Sequence, residues 1–340
     1  MSFVWTTALA TANAQSPLVS DNEKVAPRTA LAFKLAHISD PHLSAIPKLG
    51  FVDLASKRLF GLYNWRRNRL HAFGPAILDA LVADILAHKP DHVAVTGDLI
   101  NLGLDVEIVA ASEWLQKVGS PQNTTLVPGN HDAYMPRSLA ELTKAWGAYM
   151  LGDEGGDTVT FPFVRRRGSV AIVGVSSAVP TLPLMATGEI GERQAAELTA
   201  RLAELAMEGM FRVVLIHHSP VKGATAWYRR LVDTSLFRRA LETSGAELVL
   251  HGHNHRTTLA WLPGKDAPVP VVGVAAASVL PRNGKPGGSY CFFQIDISDG
   301  FAWSMVERGV RYPDGPVETI STQSSTAAAS EFPPGRASTT

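Results

Sequence analysis

The chain has 340 residues, 46% hydrophobic and 18% charged, with 31 basic and 31 acidic side chains and a formal net charge of zero. That length supports a large buried core, and the balanced charge gives no global attraction to nucleic acid or to an anionic surface. The single cysteine, Cys291, excludes an intrachain disulfide and a thiolate metal site, and no apolar run is long enough to span a bilayer.

Residues 1–31 come first. Leu9–Ala14 loosely matches a small-residue cleavage site, but Met1–Ala8 has no basic side chain and the apolar stretch is short. The segment is therefore expected to be extended or disordered and the protein cytoplasmic. A folded domain is expected over 32–312. It opens with a strand-like run, Phe33–Ile38, that stops at Ser39-Asp40. Next comes an unusual stretch, Ser56–Arg69, which carries Lys57, Arg58, Arg66, Arg67 and Arg69 interleaved with Leu59, Phe60, Leu62, Tyr63 and Trp65. Three readings fit it: peripheral contact with an anionic membrane, a contribution to the rim of a site, or a solvated basic helix.

Ile77, Leu78, Leu81, Ile85 and Leu86 recur at helical spacing over Ala76–Ala87. Pro90-Asp91 breaks that pattern, and His92–Thr96 reads as a strand ending at Gly97-Asp98. Amphipathic Val106–Val118 precedes the strand Thr124–Val127, which ends at Pro128-Gly129-Asn130-His131. The second half continues with a strand at Ser169–Val175, a helix at Glu192–Glu208 and a strand at Phe211–Ile216 that runs into His217-His218. A helix at Tyr228–Thr243 and a strand at Glu247–Leu250 lead to His251-Gly252-His253. Strands follow at Val269–Ala275, Tyr290–Ile297 and Ala302–Glu307, and the Pro-, Ser-, Thr- and Ala-rich residues 313–340 read as a disordered tail. Alternating strands and helices predict an α/β fold with parallel strands.

Polar clusters end the apolar runs in a fixed order: Asp40-Pro41-His42, Gly97-Asp98, Gly129-Asn130-His131-Asp132, His217-His218 and Gly252-His253-Asn254-His255. In α/β sheets functional groups gather beyond the carboxyl ends of strands. Two carboxylates, a carboxamide and several imidazoles suffice for two divalent cations, and this mixture suits Mn, Fe, Zn or Co better than calcium. His253 and His255, separated by one residue, can serve two different ions from one loop, and either oxygen of a carboxylate can bridge a pair. His218, His251 and His37 read as supporting or packing groups, and His71, His88 and His92 as surface residues. Ser39 and Thr96 either bond to the neighbouring ligands or simply turn the chain. Asp132 either orients His131 or marks the start of a helix over Ala133–Ala148. Cys291, between Tyr290 and Phe292, reads as a packing thiol, and Arg165–Arg167 and Arg229-Arg230 as solvated.

The ordered set Asp-x-His, Gly-Asp, Gly-Asn-His-Asp, His and Gly-His-x-His resembles the calcineurin-like metallophosphoesterase superfamily over about Leu35–His255. Ile216-His217-His218-Ser219-Pro220 is similar to the His-His-Pro-Pro block of bacterial class III cyclic nucleotide phosphodiesterases, with Ser219 departing from it. The resemblance implies a two-sheet αββα sandwich. It implies that Asp40, His42 and His255 hold one ion, that Asn130, His217 and His253 hold a second, and that Asp98 bridges them. His131 would then be the catalytic residue, as leaving-group acid or charge stabiliser, with a metal-bound hydroxide as nucleophile. The implied activity is that of a phosphodiesterase for small diesters such as 3′,5′-cyclic nucleotides. The alternative is a pyrophosphatase or phosphodiesterase for a lipid-linked or nucleotide-sugar substrate at a membrane surface. A small phosphodiester is the expected partner and specific nucleic-acid binding is not expected.

Overall fold

The computed structural model describes residues 32–43, 73–154, 156–297 and 301–325. The expectations for residues 1–31, for the basic aromatic segment 56–69 and for His71 lie outside these residues. Strands β1 (Phe33–Ile38), β2 (His92–Val95) and β3 (Thr124–Leu126) pair in parallel. Antiparallel β10 (Ser289–Asp296), β11 (Ala302–Val310) and β12 (Val317–Ser324) extend the sheet from β1, in the order β12-β11-β10-β1-β2-β3.

The second sheet runs β4 (Phe163–Arg167), β5 (Val170–Gly174), β6 (Phe211–Leu215), β7 (Leu248–His251), β9 (Val269–Gly273) and β8 (Thr258–Leu262). Its four central strands are parallel and its two edge strands antiparallel. Helices α1 (Pro75–Ala87), α2 (Asp105–Val118), α3 (Pro136–Trp146), α4 (Gly191–Met207) and α5 (Thr234–Ser244) connect the strands. No helix among the described residues is long and apolar enough to cross a membrane.

The pleat explains the layering. Successive strand residues face opposite sides, and Ile172, Phe211, Val213, Leu215, Leu248 and Leu250 pack with Leu35, Val93, Val95 and Phe293 of the first sheet. Their alternates Ala171, Val173, Val214 and Val249 pack instead with Leu198 and Leu202 of α4 and Phe237 and Leu241 of α5. Sheet two is thus apolar on both faces, which is why its strands read as continuous hydrophobic runs. The αββα sandwich expected from the sequence is the observed architecture.

Several expectations are corrected. The tail expected to be disordered from residue 313 instead carries β12, whose Ser321 Oγ donates to the Glu307 carboxylate at 3.0 Å. The helix expected over Tyr228–Thr243 is a short 3-10 turn, Trp227–Arg229, followed by α5, and α3 begins at Pro136 rather than at Ala133. His92 is buried and bonds Thr125 Oγ1 at 2.7 Å. Arg165 is also buried, because its fork satisfies the carbonyls of Leu151, Pro121, Thr124 and Ala148 at 2.5–2.7 Å. Burial, with Arg167 nearby, pushes it down to about 10.

Candidate metal centre

Every ligand candidate follows the carboxyl end of a strand: Asp40 and His42 after β1, Asp98 after β2, Asn130 after β3, His217 after β6, and His253 and His255 after β7. The two sheets are tied together there. His217 Nδ1 donates to the Thr96 carbonyl of the other sheet at 2.6 Å, His253 N donates to Asp40 Oδ2 at 3.0 Å, and Ala277 N donates to the Ser39 carbonyl at 3.0 Å.

Two groups of donor atoms result. In the first, Asp40, His42, Asp98 and His255 present nitrogens and oxygens that all lie within 4.8 Å of one another. His255 Nε2 is 3.1 Å from Asp40 Oδ1 and 3.2 Å from His42 Nε2. In the second, His217 Nε2 lies 3.2 Å from both Asn130 Oδ1 and His253 Nδ1. Asp98 Oδ2 stands between them, 3.4 Å from His217 Nε2 and 3.8 Å from His42 Nε2. The seven candidate residues are therefore brought together, with Asp98 between the two groups.

The chemistry of the donors fits divalent cations. His217 Nδ1–H is committed to the Thr96 carbonyl, and His253 Nε2–H is committed to the Arg229 carbonyl at 2.8 Å. In their neutral forms these rings therefore aim two lone pairs at the same space. Asp40 Oδ1 is buried and takes no hydrogen bond, a costly arrangement for a carboxylate that has no cation to face. Burial opposes ionisation of Asp40 and Asp98. Even so, His255 beside Asp40, and His217, His131 and His42 beside Asp98, hold both below the usual carboxylate range. Burial also opposes a charge on His217, yet the Asp98 and Asp40 carboxylates lift it to about 9. The site is a sink for positive charge.

Backbone conformation carries the same signature. Of the eight non-glycine residues with positive φ among the described residues, five are Asp40, Asp98, His42, His253 and His255. Such conformations cost on the order of 1–3 kcal/mol each and persist where the surroundings over-determine them. Here the backbone is pinned: Asp40 N donates to the Gly97 carbonyl at 3.0 Å and His42 N to the Asp98 carbonyl at 3.1 Å. Gly252 is required by contact, since a Cβ there would overlap Ser39 Oγ and Asp40 Oδ2.

His131 sits beside the donors rather than among them. Its N–H donates to Asp98 Oδ1 at 2.8 Å, Nδ1 donates to the Asn101 carbonyl at 2.7 Å, and the ring meets His42 edge-on at 5.1 Å. Asp132 follows neither of its expected roles. Its carboxylate accepts four backbone N–H groups, from Asp98 and Gly129 at 2.8 Å, Leu99 at 2.9 Å and Ile100 at 3.3 Å, so it knots the loops after β2 and β3 together.

His218 lies near His217 and His253, but both its nitrogens are engaged, by Ser177 Oγ at 2.7 Å and the Ala186 carbonyl at 3.2 Å. It supports His253 by ring contact at 4.4 Å, and burial beside His217 keeps it neutral, down to about 3. His37 and His251 are buried neutral in the same way, at about 3 and about 4. Ser39 Oγ donates to Asp40 Oδ2 at 2.6 Å. Arg229, expected to be solvated, donates from Nη2 to the His253 carbonyl at 2.6 Å. Sequence reasoning missed it, together with Glu107, which accepts the N–H groups of Asn101, Leu102 and Leu104 at 2.8–3.3 Å and so fixes the loop that holds His131.

Comparison with known proteins bears on the family and the fold. The family model for calcineurin-like phosphoesterases matches residues 33–257. Among solved structures, a dimetal phosphatase from Danio rerio superposes with a TM-score of 0.55 at 16% identity, covering 85% of this chain and 99% of that one. Purple acid phosphatase PPD1 from yellow lupin gives 0.55 at 11% identity, covering 86% of this chain and 53% of its own. A 5′-nucleotidase precursor from Thermus thermophilus gives 0.50 at 16%, covering 85% and 55%. At these identities the likeness is one of fold. No curated protein matches the chain in sequence.

Proposed function

This chain belongs to the calcineurin-like phosphoesterase family, and from that premise we propose that it is a two-metal phosphodiesterase acting on small diesters, with 3′,5′-cyclic nucleotides as first choice. One observation carries the reading: Asp98 stands between two groups of buried donors whose lone pairs converge. In this reading Asp40, His42 and His255 hold one ion, Asn130, His217 and His253 the other, and Asp98 both. Bound divalent ions supply charge opposite the phosphoryl oxygens and lower the pKa of a water molecule. The set of nitrogens and oxygens accepts Mn, Fe, Zn or Co.

The protein's own groups do the rest. The Thr96 and Arg229 carbonyls fix the tautomers of His217 and His253, so neither of these rings has to turn when an ion enters. The Asn101 carbonyl holds one His131 proton on Nδ1, so when the ring is doubly protonated Nε2 carries the proton that is given to the leaving oxygen or shared with the phosphoryl group. The diester choice is supported by the His217-His218-Ser219-Pro220 segment, which resembles the corresponding block of cyclic nucleotide phosphodiesterases.

The test is a panel of mono-, di- and cyclic phosphate esters, assayed with metal-depleted protein after each cation is added back, alongside Asp98→Ala. Cyclic and linear diesters should exceed monoesters in kcat/KM, and Asp98→Ala should lose bound metal and turnover together with the fold intact. A preference for monoesters or for a lipid-linked pyrophosphate would overturn the substrate assignment. Full turnover by Asp98→Ala would overturn the site.

A further inference from the structure

The loop between β6 and α5 and the ligand loop after β7 enclose a cavity of about 440 Å³ that the metal centre does not use. That size lies within the range of small-molecule sites. Thr225, Tyr228, Arg229, Asn254 and Arg256 line it, and none of its lining residues is acidic. It adjoins the metal donors directly. Asn254 separates His253 from His255, Arg256 follows His255, and Arg229 is bonded to His253 through both its guanidinium and its carbonyl, at 2.6 and 2.8 Å.

The wall is held in place from behind. Tyr228 and Arg230 carbonyls accept from Ala186 N at 2.8 Å and Gly188 N at 3.1 Å, and Val232 N donates to the Gly188 carbonyl at 2.9 Å. Arg256 is exposed and makes no hydrogen bond or ion pair among the described residues, while Arg229 spends one Nη2 bond on the His253 carbonyl. The lining thus holds two arginines, the Asn254 carboxamide and no carboxylate, a combination whose chemistry suits a phosphate or similar oxyanion.

The geometry points to a second anion subsite: the cavity beside the metal donors binds a further phosphate group carried by the substrate. This rests on the phosphoesterase reading of the adjoining donors, and it ranks a diester that carries a second phosphate above the same diester without one. The second phosphate is recognised chemically, whether it sits on a soluble molecule or on a lipid head group.

The test compares the p-nitrophenyl ester of thymidine 5′-phosphate with the same ester carrying a 3′-phosphate, using the metal-loaded protein. The subsite requires a preference of at least about tenfold in kcat/KM for the 3′-phosphorylated ester, expressed mainly in KM. That ratio should fall toward one in Arg256→Ala, recover partly in Arg256→Lys, and shrink as salt is raised.

A second readout does not depend on turnover. Thymidine 3′,5′-bisphosphate should bind the metal-depleted protein, and Arg256→Ala should weaken that binding at least fivefold. If neither ester is turned over but bisphosphate binding still depends on Arg256, the subsite stands and the phosphoesterase reading falls. If both esters are turned over equally well and Arg256→Ala changes neither the ratio nor bisphosphate binding, the subsite is overturned and the phosphoesterase reading stands. Capture on phosphatidylcholine vesicles containing phosphatidic acid, lost in Arg256→Ala, would place the second phosphate on a lipid. A soluble-ester preference without capture would place it on a soluble molecule.

Discussion

Replacing Asp132 by Asn tests the knot that joins the loops after β2 and β3. The side chain accepts four buried backbone N–H groups, two on each oxygen: Asp98 and Gly129 on Oδ2, Leu99 and Ile100 on Oδ1. An amide of the same shape keeps only one acceptor oxygen. Whichever way it is turned, two N–H donors then face an NH₂ group. Losing two hydrogen bonds to a charged acceptor costs about 1.5–3 kcal/mol each, so Asp132→Asn should lose about 3–6 kcal/mol. That is a large part of the 5–15 kcal/mol typical of a folded protein. The assay is urea denaturation at pH 8 with chelator present, so that metal occupancy does not enter. Burial and the neighbouring Asp98 push Asp132 up to about 7, and pH 8 keeps it ionised. Asp132→Ala removes all four bonds, so Ala should be no better tolerated than Asn. If Asp132→Asn unfolded within about 1 kcal/mol of wild type, the carboxylate would not be the acceptor that organises these loops.

Two other outcomes follow from buried positions, one remote from the site and one packed against it. His92 is pushed down to about 3 by burial and by Arg167 and Arg165. As pH falls below about 6.5 the unfolded chain takes up a proton that the folded chain refuses, so stability is constant above that pH and declines toward pH 3. Between pH 7 and pH 4.5 His92→Gln should remove roughly 2–3 kcal/mol of that decline, measured as the difference between wild-type and variant urea curves at both pH values; equal slopes would refute it. Gly252→Ala places a methyl group on Ser39 Oγ and Asp40 Oδ2. It should cost about 1–3 kcal/mol in overpacking and weaken metal retention roughly 10–100-fold in a chelator competition, and unchanged retention would show that Asp40 can shift freely.

The ligand candidates were legible because each is a short polar cluster at the end of an apolar run, and strand ends in an α/β fold converge. His42, Asp98 and His253 needed nothing more than their order in the chain. What supports them was not legible, because it depends on contacts far apart in sequence and often on backbone atoms. No pattern around Thr96 announces that its carbonyl, 121 residues before His217, sets that ring's tautomer. The Arg165 triplet read as solvent-facing because three consecutive arginines usually are. In β4 the pleat sends Arg165 inward to four carbonyls, while Arg166 pairs with Glu154 and Glu208. Composition misleads at the tail: Val317–Ser324 is rich in Ser and Thr, yet it pairs along β11, and its Ser321 hydroxyl reaches the buried Glu307.

The seam between the two sheets has a further consequence for how the protein is made. Asp40, His42, Asp98 and Asn130 follow strands of one sheet, whereas His217, His253 and His255 follow strands of the other. Each group of donors therefore draws on both sheets, and each is finished only by residues of the β7 loop. During synthesis the early strands can emerge and pair, but one donor group is complete only once residue 253 has left the ribosome and the other only once residue 255 has. Loading with metal would then report that both sheets have met in register. A truncated or misassembled chain would fail that checkpoint and remain without its cations.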